Sequence, residues 1–430
     1  MVSLLQQRCH TIATFILRIS GSVITMLMNY LLFRRVGDEQ AGLFLMAYTF
    51  VMMLAAVCGC GVEMIVLRRT AAAAATGRWG EANSVFLKSL FLVGFVSAVV
   101  SVVLMFSAAS VADLVFKKPE FAASLRMISP AIAGFAVAIL ISRSLQGWRK
   151  VNQSVFILNV LAGICVCAAL LCGNATKSEH VSLYYSASIW LTTGIGILLC
   201  LLAAKRGPGT TSWAAIFSSG GAVWVMVVVE TITKLIGQFF AGRYCSPEEV
   251  AQLALSQRVA VSATIALVAA TQHAAPLFAE AWKKNDIPMI RKTLRSTTIT
   301  GLILSAPMLL PMLLTPQYVL AIFSDTVSEG GYLLQISAVG QIAMIVCGAG
   351  GFVLTMSGHE AEMRNAALIS GCVAVVSGWL LTRWFGATGA AISSSLSLIV
   401  LNLVSSHRVL RHFGFHPLLL ILKCKQPEKS

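Results

Sequence analysis

The chain has 430 residues, of which 57% are hydrophobic and 11% charged, with a formal net charge of +15. Soluble domains carry about 25% charged residues, so a soluble enzyme or carrier is excluded, and no polar stretch is long enough to fold by itself. The basic excess gathers at the ends of apolar runs with no aromatic-interleaved basic face, which argues against nucleic acid as a partner and for membrane orientation.

Apolar runs able to cross ~30 Å of hydrocarbon recur throughout. In chain order they predict twelve spans, at about 11–33, 41–67, 85–108, 123–146, 153–173, 181–204, 214–240, 250–276, 296–315, 331–356, 362–382 and 388–406. Lipid-exposed backbone must satisfy its own hydrogen bonds, so the expected fold is an all-α integral membrane bundle. The first run, Ile19–Phe33, has no small-residue cleavage signal after it and reads as a retained helix, not a signal peptide.

Span one carries Thr14, Arg18, Ser22, Thr25 and Asn29. Steps of four, four, three and four put them on one helical face. Such a stripe faces protein or a cavity. Helix–helix packing accounts for the small hydroxyls, whereas Arg18 either lines a cavity or snorkels to the interface. Six basic residues in all lie inside predicted spans: Arg18, Lys88, Arg126, Arg143, Lys234 and Arg258. Each costs roughly 2.5–3.5 kcal/mol at the bilayer centre on insertion scales. Lys88, Arg126 and Arg143 are near span ends, where snorkelling meets that cost. Pro130 in span four, and Pro307 and Pro311 in span nine, each remove a helical hydrogen bond and predict kinks.

Span seven places Glu230, Lys234 and Gln238 at i, i+4 and i+8, the favoured order for a helical ion pair. At 1.5 Å per residue Glu230 falls about 18 Å deep, near the midplane. Two readings stand: a self-neutralising structural pair, or an ion-coupling carboxylate beside substrate contacts. In span eight Arg258, Ser262 and Gln272 lie roughly on one face.

Counted by loop with the N-terminus inside, 19 Lys and Arg fall on the inner side and 7 on the outer, which predicts cytoplasmic termini. Trp79, Trp148, Trp213 and Trp282 fall at the inner boundaries, as an aromatic belt would. The halves repeat at a nearly fixed offset. Lys88 and Gly94 correspond to Arg295 and Gly301, and Ser144–Gly147 corresponds to Thr355–Gly358. With six spans per half, the repeat is parallel. The expected organisation is two six-helix lobes related by a pseudo-two-fold axis, residues 1–206 and 207–410, followed by a basic cytoplasmic tail at 411–430.

The 11 cysteines are mostly mid-span and read as packing residues. Gly358-His359-Glu360-Ala361-Glu362 is not a metal-binding His-Glu-x-x-His helix. No catalytic residue, cofactor or metal site is expected, and the chain has only short outer loops, without the sizeable loops and catalytic groups that a membrane glycan polymerase or ligase needs.

The segment Gly37-Asp38-Glu39-Gln40-Ala41-Gly42-Leu43-Phe44, running through span two to Leu67-Arg68-Arg69, resembles the second-helix region of polysaccharide flippases. Leu145–Lys150, Ala275-Pro276, Met356–Glu360 and Gly386–Ala391 are similar to their later helices. The chain thus resembles the Wzx-type lipid-linked oligosaccharide flippases of the MATE/MOP superfamily. The resemblance implies a bacterial inner membrane, export of an undecaprenyl-diphosphate-linked glycan, and polymerase machinery and membrane lipids as partners. Arg18, Lys234 and Arg258 would then meet the diphosphate, Asn29 and Gln238 the sugars, and Glu230 would couple an ion. The alternative is a MATE-like antiporter for small cations, which requires a cavity carboxylate.

Overall fold

The computed structural model describes residues 2–204, 207, 209–213, 220–284, 286–347 and 349–417. Lys205 and Arg206 at the expected lobe boundary, and the tail beyond residue 417, lie outside these. The chain forms two compact units, Met1–Thr231 and Ile232–Ser430, and the division falls inside one helix.

The first unit contains α1 (Val2–Val36), α2 (Asp38–Cys58), α3 (Val62–Ala75), α4 (Trp79–Val111), α5 (Phe121–Ile128), α6 (Ala131–Gly147), α7 (Val151–Val155), α8 (Ala162–Cys172), α9 (Ser178–Ala203) and the start of α10 (Gly220–Tyr244). Helix α6 is its centre and packs against α2, α3, α4 and α9. Its sequence, rich in Ala, Gly and Ser, lets neighbouring backbones approach closely. A Cβ on Gly147 would lie 1.9 Å from Thr70 Oγ1 of α3. Around it Phe86, Ile141, Leu145, Trp148 and Ile157 form an apolar cluster. Thr193 of α9 donates to the Gly134 carbonyl at 2.9 Å. The predicted break at Pro130 is present as a turn between α5 and α6, which otherwise form one span.

The second unit contains the rest of α10, then α11 (Pro247–Ser262), α12 (Ile265–Lys283), α13 (Ile287–Leu314), α14 (Pro316–Ala321), α15 (Asp325–Ser328), α16 (Gly331–Cys347), α17 (Ala349–Met356) and α18 (Glu360–Phe413). A capping box opens α11: Ser246 Oγ accepts from Glu249 N at 3.3 Å, and Glu249 Oε2 from Ser246 N at 2.8 Å. Helix α13 runs through both Pro307 and Pro311.

Among the described residues ten helices are long and apolar enough to cross a membrane, so the fold is all-α and multi-span. Two of the twelve expected spans have no separate counterpart among these ten. Span eight is divided into α11 and α12 at Ala263–Thr264, where Ser262 and Thr264 hydroxyls donate back to the Val259 and Val261 carbonyls. Spans eleven and twelve run together as α18, a 54-residue element with non-helical backbone at Gly386 (φ 56°, ψ −137°). Its halves fold back on each other there: Ser370 donates to the Ser397 carbonyl at 2.7 Å, and the Ser377 and Ser393 hydroxyls bond at 2.8 Å.

Candidate functional site

In the first unit the polar face of α1 meets protein. Thr14 donates to Asn152 Oδ1 at 2.6 Å. A π-helical turn, Phe156–Leu161, links α7 to α8 and brings Asn159 against Gly21, where a Cβ would come within 2.7 Å of the Asn159 carbonyl. Thr25 donates to the Gly21 carbonyl and Asn29 Nδ2 to the Thr25 carbonyl, each at 2.8 Å. Asn29 is fully buried, so its side chain sits within the fold rather than at a surface. Arg18 lies between Thr14 and Ser22 on this face, half-buried, and its Nε is buried without a hydrogen-bond partner.

Span two breaks between α2 and α3 at Gly59-Cys60-Gly61, with Cys60 (φ 50°) and Gly61 (φ 67°) in the left-handed region. Glycine adopts that conformation freely, and cysteine does so at a cost of about 1–2 kcal/mol. The Val57 carbonyl at the break accepts from Trp224 Nε1 at 2.9 Å. On the far side Glu63 stands in the first turn of α3, 8% exposed, where the helix dipole favours an anion. Arg143 of α6 and Glu230 of α10 both act on it electrostatically, with opposite signs. Arg143 also donates to Gln146 Oε1 at 3.3 Å. Gln146 donates to Ser154 Oγ at 2.9 Å, and the Ser154 and Ser142 hydroxyls bond at 2.6 Å. A polar path thus joins α6 to α7, and Arg143 at its start acts electrostatically on Glu63 of α3.

The sequence reading missed Glu63, although an acid inside the apolar run 41–67 was the available signal. Arg143, expected to snorkel near the end of span four, bonds Gln146 in the last turn of α6. Lys88 bonds the Thr211 carbonyl and lies 5.4 Å from the Trp213 ring centre. Arg126 is exposed in the last turn of α5.

In the second unit Gln238 is buried, and its Nε2 donates to Gln257 Oε1 at 2.7 Å. Gln257 in turn donates to Ser394 Oγ at 3.0 Å, and Ser394 donates to the Ala390 carbonyl at 3.0 Å. Gly237 permits this approach, since a Cβ there would lie 2.5 Å from Ser394 Oγ. The next residue, Arg258, is half-buried, while Glu230 and Lys234 are exposed on α10. The break before α12 interrupts the face that Arg258 and Ser262 were expected to share with Gln272, whose side chain lies outside the described ones. Among the described residues no group of three His, Cys, Asp or Glu is placed to hold a metal.

A family model described as "Polysaccharide biosynthesis protein" matches residues 10–282, and one described as "MatE" matches residues 222–380. No curated protein gives a significant match. Among solved structures, the inward-facing form of a multidrug resistance MATE family transporter of the MOP superfamily superimposes with TM-score 0.75 at 14% identity, covering 96% of this chain and 100% of that one. The lipid II flippase MurJ, in an inward closed conformation, gives TM-score 0.75 at 14% identity over 96% of this chain and 88% of that one. A MOP superfamily transporter from Pyrococcus furiosus Vc1, for which reverse polarity of the binding pocket suggests a different function, gives TM-score 0.66 at 14% identity over 94% and 95%. At such identities the likeness is one of fold, and the fold is that of the MOP-superfamily multi-pass membrane transporters. The chain belongs to the polysaccharide biosynthesis protein family.

Proposed function

We propose that the chain is an alternating-access transporter that flips an undecaprenyl-diphosphate-linked oligosaccharide across a bacterial inner membrane, for assembly of a surface polysaccharide such as O-antigen or exopolysaccharide. The observation that carries this reading is the polysaccharide biosynthesis match over residues 10–282. The half-buried guanidinium of Arg18, with its Nε unpartnered, supports it, because a cation at that depth suits a diphosphate. In this reading Arg258 and Lys234 are the cations of the second unit, and Asn29 and Gln238, both buried in this structure, are the polar groups assigned to the sugars. In this reading the two six-helix halves are lobes related by a pseudo-two-fold axis, both termini are cytoplasmic, and polysaccharide polymerase machinery receives the product.

A second reading, a MATE-like antiporter of small cations, draws more support from the comparisons. Multidrug transporters of that family share the fold at TM-scores up to 0.75, and the MatE model covers residues 222–380. Glu63 supplies a buried carboxylate of the sign such cargo needs. Glu230, or Glu63 beside it in charge, is the ion-coupling group under either reading.

Complementation separates the two. Expression in a flippase-null strain restores surface glycan and clears accumulated lipid-linked precursor under the first reading, and Arg18→Gln or Arg258→Gln abolishes this at unchanged protein level. Unrestored glycan, together with raised resistance to cationic drugs, would reject the flippase in favour of the antiporter.

A further inference from the structure

At one end of the second unit two histidines stand face to face. His359 N-caps α18, and His412 lies in its last turn. Their ring centres are 4.4 Å apart, tilted by 44°. His359 is also held edge-on by Trp282 at 5.5 Å and by Phe413 at 5.9 Å, and Trp282 meets Phe413 at 5.5 Å. Ser357 Oγ donates to the Leu354 carbonyl at 3.2 Å and shares a hydrogen bond with His359 Nδ1 at 2.9 Å. His412 Nε2 is 3.4 Å from Glu362 Oε1, and Arg408 Nη1 is 2.9 Å from Glu362 Oε2.

These contacts fasten the end of α18 to the ends of α12 and α17. Beneath the histidines, Phe278, Ile290, Leu354, Val409, Phe413 and Phe415 form a buried apolar cluster. Among the described residues Glu362 is the carboxylate bonded to the histidine pair, and it also pairs with Arg408. Of the other charged and titratable groups on these elements, Glu360, Arg364, His407 and Arg411 on α18, Lys283 at the end of α12, and Arg291 and Lys292 on α13 are exposed, while Arg295 of α13 and His416 beyond α18 are half-buried. Beyond α12, Lys284 pairs with Glu280 at 2.7 Å, and Asp286 caps α13 by accepting from Met289 N at 2.9 Å. Helix α17 carries no charged residue.

We infer that His359 and His412 form a proton-sensitive clasp on the end of α18. His412 has Glu362 beside it to balance a positive charge, whereas His359 has a hydroxyl, Ser357 Oγ, as its bonded partner. Imidazoles exchange protons between about pH 5 and 8. A second proton, on His359, sets two cations face to face at stacking distance, with Arg408 alongside and one carboxylate to balance all three. Like charges so placed repel. The docked end therefore loosens on acidification and closes again as pH rises.

The test uses the full-length protein in detergent between pH 7.5 and 5.5. Amide hydrogen exchange across 409–413, corrected for its intrinsic pH dependence, is expected to speed up about 10-fold at the acid end. Trp282 fluorescence, taken as the difference from Trp282→Phe, is expected to fall in the same interval as the adjacent imidazolium quenches it. His359→Phe keeps a ring in the stack but cannot take the proton, so it is expected to stay protected at both pH values. His412→Phe repeats that test should His359→Phe fail to fold. Exchange that does not change with pH in the unmodified protein, or a pH response surviving in the ring-preserving variant, would overturn the clasp.

Discussion

Gln238 and Gln257 are joined end to end inside the second unit, with Gln238 Nε2 donating to Gln257 Oε1 at 2.7 Å and Gln257 passing the bond on to Ser394 at 3.0 Å. The three residues come from α10, α11 and the second half of α18, so the chain of amides fixes three helices in one register. Replacing Gln257 by Leu removes both bonds and leaves a buried amide on Gln238. Such a loss costs about 1–3 kcal/mol. The expected outcome is a lower thermal midpoint in detergent for Gln257→Leu, with Gln257→Glu milder because it keeps an acceptor for Gln238. Equal midpoints for Gln257→Leu and the parent would show that the amides contribute nothing.

Packing in the first unit makes a second prediction. A methyl group on Gly147 would overlap Thr70 Oγ1, and it would also lie 3.1 Å from the Leu67 carbonyl, which is backbone and cannot swing aside. Overpacking of this kind costs about 1–3 kcal/mol. Gly147→Ala is expected to lower the thermal midpoint, and Thr70→Ala in the same chain to recover part of the loss. A double-mutant cycle on the thermal midpoints measures that coupling.

The fold was largely legible because hydropathy reports on lipid, and lipid contact is what the long helices share. It failed where a helix is interrupted without losing its apolar character. The break at Ala263–Thr264 is made by two hydroxyls turning back on their own helix, and Ser and Thr do this only in some contexts. The reversal at Gly386 falls between the two expected runs, 362–382 and 388–406, and separates the two helical halves of α18. The site was less legible. Helical periodicity put Thr14, Arg18, Thr25 and Asn29 on one face, but not which neighbour that face meets, and for Thr14 the answer is Asn152. Glu63 escaped because a single acid within an apolar run has no periodic signal, and its partner Arg143 comes from another span.

Lys88 offers a test of how the linking segment is held. Its ammonium bonds the Thr211 carbonyl and stacks on Trp213, while Thr211 N donates to Ser84 Oγ at 3.1 Å. Removing the charge with Lys88→Met deletes a charge-assisted bond and a cation–π contact, together about 1–3 kcal/mol at a partly buried site. Limited proteolysis is expected to cut Lys88→Met near residues 207–213 faster than the parent, with Lys88→Arg close to the parent because it retains both interactions. Equal cleavage of Lys88→Met and the parent would mean that the segment is held by other contacts.

Glu63 and Arg143 define the last expectation. Glu63 is 8% exposed, and Arg143 acts on it as a positive charge. Arg143 and Glu63 act on each other as opposite charges, so removing either one leaves the other without its counter-charge, at a cost on the order of 3 kcal/mol. Removing both strands nothing. Glu63→Gln and Arg143→Gln are therefore each expected to lower the thermal midpoint, and the double variant to lie above the sum of their losses. A structural pair would show this coupling in stability alone. If Glu63 also carries the coupling ion, Glu63→Gln loses the dependence of transport on the proton or sodium gradient while cargo still binds, and Glu63→Asp retains it. Measuring binding and gradient dependence on the same reconstituted protein distinguishes the two roles, and additive stability losses with unchanged gradient dependence would remove Glu63 from both.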